Sequence, residues 1–491
     1  MVIAILFGAC NWGQAVENES EYTPEPPTEN ATLTSIPWAI THRNPHSGIF
    51  GIAWSPEDLE HPLLTANRIM REMYNLLYDS LFVLDQEFNA HKRLCAEIKS
   101  IDNITYVLSI RQDVTFNNGQ PLTANDVLSS IQIARSSASP YSARLACIIS
   151  VRIDGENIEI VLDKPNPRFA ALLTFPIVGA ALSDGILSGT GPYEYIHDNE
   201  RDYLVPFANH WGEVKLPLGR IELIAADKLE ELTYLMGAGE VSIATADIND
   251  DFSVSYSGDY DVWEYPTPTM YYIGFNTAHT LLADSSVRQA LSYAFDRQGL
   301  VERVFNGAAD AATLPVSPAV YASGDGFDLK VFAEIMQELG AEDVNNDGIL
   351  NFRRGRVYVP FTLRIITDEN DTRATAAAEY LAVELIRSGV GIEVIPLSSA
   401  EYREAKKSGN YELFCEKVTL PADFSFRKWL GQNRATNTSI TTDYSDFYSE
   451  MPIAPLLFKR EYMLTHWSQV SGILPVYGNP YVNISDWTVR Q

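Results

Sequence analysis

The feature that most constrains the fold is an alternation of predicted strands and helices in the later half of the chain. Strand, helix, strand, helix and strand are predicted over residues 361–367, 371–388, 391–396, 401–408 and 411–418. This order and spacing predict a parallel, doubly wound α/β unit. Ligands of such sheets bind beyond the carboxyl ends of the strands. The sequence therefore predicts a binding site at the loop formed by residues 419–424.

Length and charge narrow the class of protein. The chain has 491 residues, more than the roughly 250–300 that one hydrophobic core supports, so at least two domains are expected. Its net charge is −28, with 36 Lys and Arg against 64 Asp and Glu. Neutralising phosphates needs a dense basic surface, so we expect no nucleic-acid partner.

Local patterns in the first half predict further elements. Apolar spacing predicts a helix over residues 68–77, and extended runs predict strands over 106–111 and 158–162. A second helix is predicted to begin at Thr123, a residue type that caps helices, with Asp126 in its first turn.

The N-terminus is typical of an anchored protein. Residues 2–9 are apolar and end in Gly8 and Ala9 before Cys10, as at the end of a bacterial lipoprotein signal, so we expect lipidation of Cys10. The apolar run is short and no basic residue precedes it, which leaves an ordinary hydrophobic N-terminus as the alternative. Residues 1–10 would be the signal remnant. Residues 11–34, acidic and rich in Pro, would be an extended tether.

The remaining cysteines and one acidic loop give weak signals for metal or redox chemistry. Cys95, Cys147 and Cys415 form no CxxC pair, so neither a zinc site nor a redox motif is expected. Cys95 and Cys147 are either a disulfide or, as we favour, free thiols.

Residues 343–349 resemble the start of a calcium loop, but Arg354 stands where a bidentate Glu is needed. A hydrogen-bonded turn is the favoured interpretation.

Catalytic motifs are not recognisable. Residues 189–193, Gly-Thr-Gly-Pro-Tyr, lack the Lys-Ser/Thr ending of a phosphate loop. The chain has no Gly-x-Ser-x-Gly elbow. Carboxylates are numerous, but no spacing selects a pair for hydrolysis. We therefore expect no catalysis and no cofactor, with a carboxylate-dependent hydrolase as the rival from another class.

Eight short segments, in this order, resemble the family 5 extracellular solute-binding proteins of ABC transporters, the dipeptide, oligopeptide and nickel-binding type. They lie at 77–82 (LYDSLF), 94–97 (LCAE), 106–127 (YVLSIRQDVTFNNGQPLTANDV), 189–193 (GTGPY), 209–212 (NHWG), 239–244 (GEVSIA), 273–277 (IGFNT) and 287–297 (VRQALSYAFDR).

The resemblance implies a two-lobed α/β fold of the type II periplasmic-binding-protein kind with an extra subdomain. Lobe I would comprise residues 35–276 and 467–491, with the subdomain at about 70–185. Lobe II would comprise residues 277–466. The chain would cross between the lobes near Asn276 and near His466.

The resemblance also implies a ligand site. Peptide binders of this family place an Asp in an aromatic-x-Ala-Asp-aromatic stretch, where the Asp pairs with the peptide ammonium. Asp423 and Phe424 stand in that place, within the loop already predicted from the strand pattern. Leu420 replaces the first aromatic residue. An ammonium that leaves water needs a charged acceptor.

Two further segments bear on the ligand. Asn67 and Arg68 fall where family members run main chain beside the ligand, so Arg68 is a candidate for a ligand carboxylate; the start of a solvated helix is the alternative. Between residues 431 and 451 the family usually has a longer stretch that includes a helix, whereas this chain is short and polar there.

Together these features predict a membrane-anchored, extracytoplasmic and monomeric substrate-binding protein of an ABC importer. Its partners would be a peptide or other small solute, the permease and ATPase subunits, and the membrane through a lipid anchor. Nickel chelates, oligosaccharides and other small solutes are the alternatives to peptides as cargo.

Overall fold

The structure is a computed structural model. It describes residues 50–56, 61–182, 186–198, 201–212, 215–226, 229–246, 260–425 and 440–490. Cys10, the tether at 11–34, residues 35–49 and residues 426–439 lie outside the described residues.

The strands are β1 (Gly51–Trp54), β2 (Phe82–Leu84), β3 (Ala90–Lys92), β4 (Cys95–Ser100), β5 (Thr105–Ile110), β6 (Ile148–Asp154), β7 (Asn157–Leu162), β8 (Tyr193–Asp198), β9 (Arg201–Pro206), β10 (Ile221–Ala225), β11 (Ile243–Ala246), β12 (Tyr260–Phe275), β13 (Ala309–Ala311), β14 (Ala341–Glu342), β15 (Asn351–Arg354), β16 (Val357–Pro360), β17 (Thr362–Asp368), β18 (Gly391–Leu397), β19 (Leu413–Thr419), β20 (Ile453–His466), β21 (Val470–Ser471) and β22 (Thr488–Val489). The helices are α1 (Arg68–Leu77), α2 (Ala124–Ala134), α3 (Leu229–Ala238), α4 (Ser285–Tyr293), α5 (Arg297–Arg303), α6 (Leu329–Glu338), α7 (Thr372–Arg387), α8 (Ser399–Ser408) and α9 (Ile440–Glu450).

The predicted parallel unit is confirmed. β17 pairs in parallel with β18 on one side and with β19 on the other, and α7 and α8 make the connections. Asp371 caps α7 by accepting the Ala374 N–H at 3.0 Å, and buried alanines let the helix pack closely on the sheet. Gly409 ends α8 in the left-handed conformation, which suits glycine.

Two long antiparallel strands carry the sheet beyond this unit. β12 and β20 pair from Tyr260 with His466 to Gly274 with Ile453, and β-bulges interrupt the register. The strand order β18-β17-β19-β12-β20-β11-β1-β10-β9-β8 makes one mixed sheet, with β13 pairing β20 off this path. A separate antiparallel sheet has the order β4-β5-β7-β6.

The hydrophobic core changes along these two strands. Tyr265 of β12 and Met463 of β20 belong to a cluster built from the first half of the chain and its last described residues. Tyr271 and Leu457, further along the same strands, belong to a second cluster of residues 271–457. A third cluster, which includes Phe88 and Phe424, combines residues of both parts.

Helix α1 begins and ends for identifiable reasons. The Asn67 side chain accepts the N–H groups of Ile69 at 2.9 Å and Met70 at 3.3 Å, which satisfies two free donors of the first turn. At the other end, a Cβ on Gly189 would lie 2.0 Å from the Leu77 carbonyl oxygen. The Gly-Thr-Gly-Pro-Tyr segment therefore needs glycine in order to pack against the end of a helix.

The structure agrees with three local predictions, for a helix start, for the cysteines and for the calcium-like segment. The Asp126 carboxylate accepts the backbone N–H of Thr123 at 2.8 Å, so the predicted helix start is confirmed. Cys95, Cys147 and Cys415 are free thiols. In the calcium-like segment, Asp343 accepts the N–H groups of Asp347 and Gly348, as expected of a turn.

The short, polar segment between residues 431 and 451 contains a helix that its sequence did not indicate. Its second half forms helix α9, with Tyr444 and Phe447 buried against the third cluster. The polar residues obscured this helix; among its described side chains, those of Tyr444 and Phe447 are buried.

Among the described residues, no helix is both long enough and apolar enough to span a bilayer.

Candidate functional site

Three of the motif segments, 77–82, 189–193 and 209–212, meet at one buried carboxylate, Asp79. Its Oδ1 accepts the Arg93 Nε–H at 2.7 Å, and its Oδ2 accepts the Trp211 indole at 2.9 Å and the Thr190 hydroxyl at 3.2 Å. Burial raises the pKa of Asp79, but Arg93 and the neighbouring His210, whose Nε2 atom lies 3.9 Å from Oδ2, outweigh it, so the net pKa lies below its ordinary value. This network joins distant segments of the chain, and the motifs here specify the fold.

The last motif also has a structural role. Buried Arg297 donates to the carbonyl oxygens of Pro455 at 2.7 Å and of Ser292 and Asp325 at 2.8 Å. Arg288 donates to the carbonyl oxygen of Met451 at 2.9 Å. These guanidinium groups tie helices α4 and α5 to β20 and to the residues just before it.

The loop after β19 presents Asp423, as the strand pattern predicted. Its Oδ2 accepts the Asn166 side-chain N–H at 2.7 Å, and its Oδ1 accepts the Ser425 N–H at 3.3 Å. Burial raises the pKa of Asp423, and these two hydrogen bonds and the charge of Arg168 offset that only in part. The site is a buried carboxylate whose hydrogen-bond donors are neutral.

Asn166 is held rigidly in front of Asp423. Its backbone carbonyl accepts the Tyr106 hydroxyl at 2.5 Å, and its N–H donates to the Asn103 carbonyl at 2.8 Å. Its side-chain oxygen accepts the Arg168 N–H at 3.1 Å. Pro165 and Pro167 on either side further restrict the backbone, so the amide is presented in one orientation.

Phe424 meets Phe88 beside this carboxylate. The ring centroids are 5.0 Å apart and the planes are nearly perpendicular, at 89°. Phe88 has φ 58° and Phe424 has φ 49°, a left-handed conformation that is unfavourable for a bulky residue. Packing of the two rings in the third cluster holds both turns in this conformation, and such strain is concentrated at functional sites.

Arg68, the predicted carboxylate binder, is already paired. Its Nε donates to Glu72 at 2.8 Å, and its Nη2 donates to Glu461 at 2.8 Å and to the Tyr265 hydroxyl at 3.3 Å. Two carboxylates therefore face this one guanidinium. The Asn67 side chain caps α1, and a ligand role for Asn67 or Arg68 remains a prediction.

Two other arginines differ from Arg68. The Nε and Nη2 atoms of Arg144 and the Nε atom of Arg71 are buried and have no hydrogen-bond partner among the described residues. Arg144 stacks on Tyr141, with its Cζ 4.7 Å from the ring centroid. Arg71, Arg68 and Arg144 all act on the pKa of Tyr477, which burial raises and these three cations lower.

Electrostatics connect the predicted parts of the site. Burial lowers the pKa of Arg144, the charge of Arg71 lowers it further, and the charges of Tyr141, Tyr477 and Asp423 act in the opposite sense. Within the described ranges, no hydrogen bond or ion pair joins Asp423 to Arg68. Arg144 thus interacts electrostatically both with Arg71 and with Asp423.

Sequence reasoning found the Asp423 loop but missed Asn166, which donates to Asp423, and the two arginines with buried, unbonded nitrogens. Asn166 carried a usable signal, because it lies between two prolines that end a predicted strand. Arg71 and Arg144 carried no such sequence signal, because no recognisable motif surrounds Arg71 in helix α1 or Arg144 in its loop. Within the described part of the chain, no group of three His, Cys, Asp or Glu side chains is placed to hold a metal ion.

Comparison with known proteins agrees with this architecture. The family model for bacterial extracellular solute-binding proteins, family 5, matches residues 90–435. The oligopeptide-binding protein AppA of Bacillus subtilis is 23% identical over 422 residues, which cover 80% of this chain and 74% of AppA.

Two solved structures have the same fold. The ABC transporter substrate-binding protein CtaP from Listeria monocytogenes gives a TM-score of 0.66 at 17% identity, covering 90% of this chain and 99% of CtaP. NikZ from Campylobacter jejuni, in complex with Ni(L-His), gives 0.59 at 18% identity, covering 89% and 99%. The mixed sheet, its helices and the family match define a two-lobed periplasmic-binding-protein fold, and the chain belongs to the family 5 bacterial extracellular solute-binding proteins.

Proposed function

We propose that this protein is the extracytoplasmic substrate-binding component of an ABC importer and that its cargo is a peptide. The protein captures the solute between its lobes and delivers it unchanged to a permease and its ATPase. The support is the family membership, together with a relative described as an oligopeptide-binding protein. No catalytic step and no cofactor belong to this mechanism.

One observation carries the choice of a peptide. Asp423 is a buried carboxylate with a raised pKa, and the groups that bond to it are neutral. A peptide ammonium would supply the missing positive charge and stabilise the ionised form. Asn166 and the two strained phenylalanines fix the carboxylate in place, so little ordering remains to be done on binding.

The lobes are proposed to follow the predicted division, 35–276 with 467–491 and 277–466, except that their boundaries move into β12 and β20. The change of hydrophobic cluster favours crossings within β12 and β20 themselves, between Tyr265 and Met270 and between Phe458 and Met463. The β-bulge between Pro266 and Met270 lies at this point. A hinge there would let the lobes close while the paired strands stay intact.

We also propose that the protein is a monomer held at the outer face of the cell membrane through lipidated Cys10, with residues 11–34 as the tether. Metabolic labelling with an alkyne fatty acid tests this. Label is expected on the natural chain and is expected to be lost in Cys10→Ala. Equal labelling of the two would contradict the anchor.

The cargo is tested by native mass spectrometry of the purified protein, followed by calorimetry with a pool of tripeptides and the same pool N-acetylated. Free-amine peptides are expected to bind and acetylated ones to bind much more weakly. Equal binding of the two pools would contradict the role of Asp423. Selective binding of nickel–histidine or of sugars would overturn the peptide assignment.

A further inference from the structure

One edge of β20 changes partners where the chain passes between the proposed lobes. On the edge that faces away from β12, β11 pairs with residues 462–465 and β13 pairs with residues 457–459. Strand β11 contributes to the first hydrophobic cluster and β13 to the second. Arg460 therefore lies at the gap between a strand of one lobe and a strand of the other. It is also paired with Pro266, at the start of the β-bulge in β12.

Arg460 binds a carboxylate from each side of this gap. Its Nε and Nη2 atoms donate to the two carboxylate oxygens of Asp310 at 2.9 and 2.6 Å, and its Nη1 atom donates to Glu264 at 3.0 Å. Asp310 belongs to β13, whereas Glu264 precedes Tyr265 in the part of β12 that packs in the first cluster. One guanidinium thus holds together two carboxylates, from opposite lobes, that would otherwise repel each other.

The same conformation brings the lobes into contact on the side of the Asp423 loop. The Asn166 side-chain N–H donates to Asp423 at 2.7 Å, and the rings of Phe88 and Phe424 are 5.0 Å apart. Asn166 and Phe88 lie in proposed lobe I, and Asp423 and Phe424 lie in proposed lobe II. The network around Arg460 is therefore formed in an arrangement in which the lobes touch.

We propose that Arg460, Glu264 and Asp310 form an ionic lock at the hinge, and that this lock favours the closed arrangement of the lobes. The proposal rests on the proposed function and adds to it a dependence of opening on the ionic strength outside the cell. The three side chains are 38%, 48% and 24% exposed, so dissolved salt reaches the network and weakens it. Solute held between the lobes is retained by the closed arrangement, so weakening the lock lowers affinity without changing a binding residue.

Small-angle X-ray scattering of the ligand-free proteins, at low and at high ionic strength, tests the lock directly. Arg460→Gln leaves two carboxylates facing each other, and it is expected to have a larger radius of gyration than the natural protein at low ionic strength. High ionic strength is expected to move the natural protein towards the value of this variant. The matched control is Arg152→Gln, which removes a surface guanidinium paired with Glu159 and is expected to scatter as the natural protein does.

A neutral triple variant separates loss of attraction from gain of repulsion. Arg460→Gln combined with Glu264→Gln and Asp310→Asn removes all three charges, so its radius of gyration is expected to lie between those of the natural protein and Arg460→Gln. A radius of gyration that is the same in Arg460→Gln and the natural protein would overturn the inference, as would an equal change in the Arg152→Gln control. Should Arg460→Gln fail to fold, Asp310→Asn, which keeps the pair of Arg460 with Glu264, decides by the same comparison.

Calorimetry with the tightest-binding tripeptide tests the consequence for capture. At low ionic strength, Arg460→Gln is expected to raise the Kd about two- to tenfold, the scale of a partly exposed ion-pair network, and high ionic strength is expected to reduce this difference. An unchanged Kd would overturn the inference. If the natural protein binds no peptide, the proposed function is wrong, and the scattering of the ligand-free proteins alone decides whether the lock exists.

Discussion

Asp79 and Asp423 are both buried aspartates, with 6% and 8% of their surface exposed, yet their surroundings differ. Asp79 receives a charged donor, Arg93, as well as Trp211 and Thr190, and its pKa lies below the ordinary value. Asp423 receives neutral donors and its pKa lies above that value.

The difference separates two uses of a buried charge. Asp79 is satisfied by the fold itself, so its ionised form stabilises the protein. Asp423 is incompletely satisfied, so its ionised form gains from an external cation. A motif alone does not make this distinction, because both residues lie in segments that resemble the same family.

The largest effect is expected at Asp79. Asp79→Asn leaves the Arg93 guanidinium without its anion, and the free energy of unfolding is expected to fall by about 3–5 kcal/mol. Urea unfolding measures it, with Asp113→Asn at an exposed ion pair as the control, expected within about 1 kcal/mol of the natural protein. A loss at Asp79 no larger than that of the control would remove the contrast.

Asp423→Ala is expected to act on binding. Loss of the carboxylate should weaken the tightest-binding tripeptide by about 2–4 kcal/mol, the range for truncating one partner of a buried charge pair. Calorimetry measures the affinity, and urea unfolding of the ligand-free variant is expected to show a far smaller loss than Asp79→Asn. Unchanged affinity would refute the ammonium-binding role.

A smaller effect is expected when one neutral donor is removed from each carboxylate. Thr190→Val at Asp79 and Asn166→Ala at Asp423 are each expected to cost about 1 kcal/mol in free energy of unfolding. Asn166→Ala is further expected to raise the pKa of Asp423, which carbon-detected NMR of the carboxyl group can follow. A downward shift would show that Asn166 does not stabilise the ionised form.

The smallest difference between the two aspartates is expected in how their contributions to the free energy of unfolding depend on pH. Asp79 has a folded pKa below 3.8, so its contribution is present above that pH and is lost as pH falls through the folded pKa. Asp423 has a folded pKa above 3.8, so stability is lost as pH rises through that pKa.

Unfolding free energies of Asp79→Asn and Asp423→Asn, each measured relative to the natural protein across pH 3 to 6, test this difference. The deficit of Asp79→Asn is expected to shrink on acidification. Asp423→Asn is expected to gain relative stability as pH rises. Curves that move in the same direction would contradict the assignment of the two roles.

The sequence predicted well where the physics is local or periodic. Helix α1 has the predicted bounds, residues 68–77, because its apolar spacing and its Asn cap are local. The unit of β17, β18 and β19 followed from alternating patterns, and the loop that carries Asp423 followed from the strand order. These features depend on residues close to one another in the chain.

What the sequence did not predict depends on contacts between distant residues. The side chains of Asn166 and Asp423 form a hydrogen bond although 257 positions separate the two residues in the chain. The pairing of Arg68 with Glu461 spans 393 positions, so sequence patterns alone could not show that Arg68 is neutralised and Arg144 is not. Helix α9 was missed because most of its residues are polar, so packing around Tyr444 and Phe447 determines where it lies.

The pairing of β20 also sets the order in which the protein can acquire its structure. Strand β11 has β1 on one side and β20 on the other, and β12 relies on β20 for most of its partners. During synthesis, β11 and β12 therefore cannot complete their pairing until β20, which lies near the end of the chain, has been made. Such late, long-range closure slows folding and leaves strand edges exposed to other chains in the meantime.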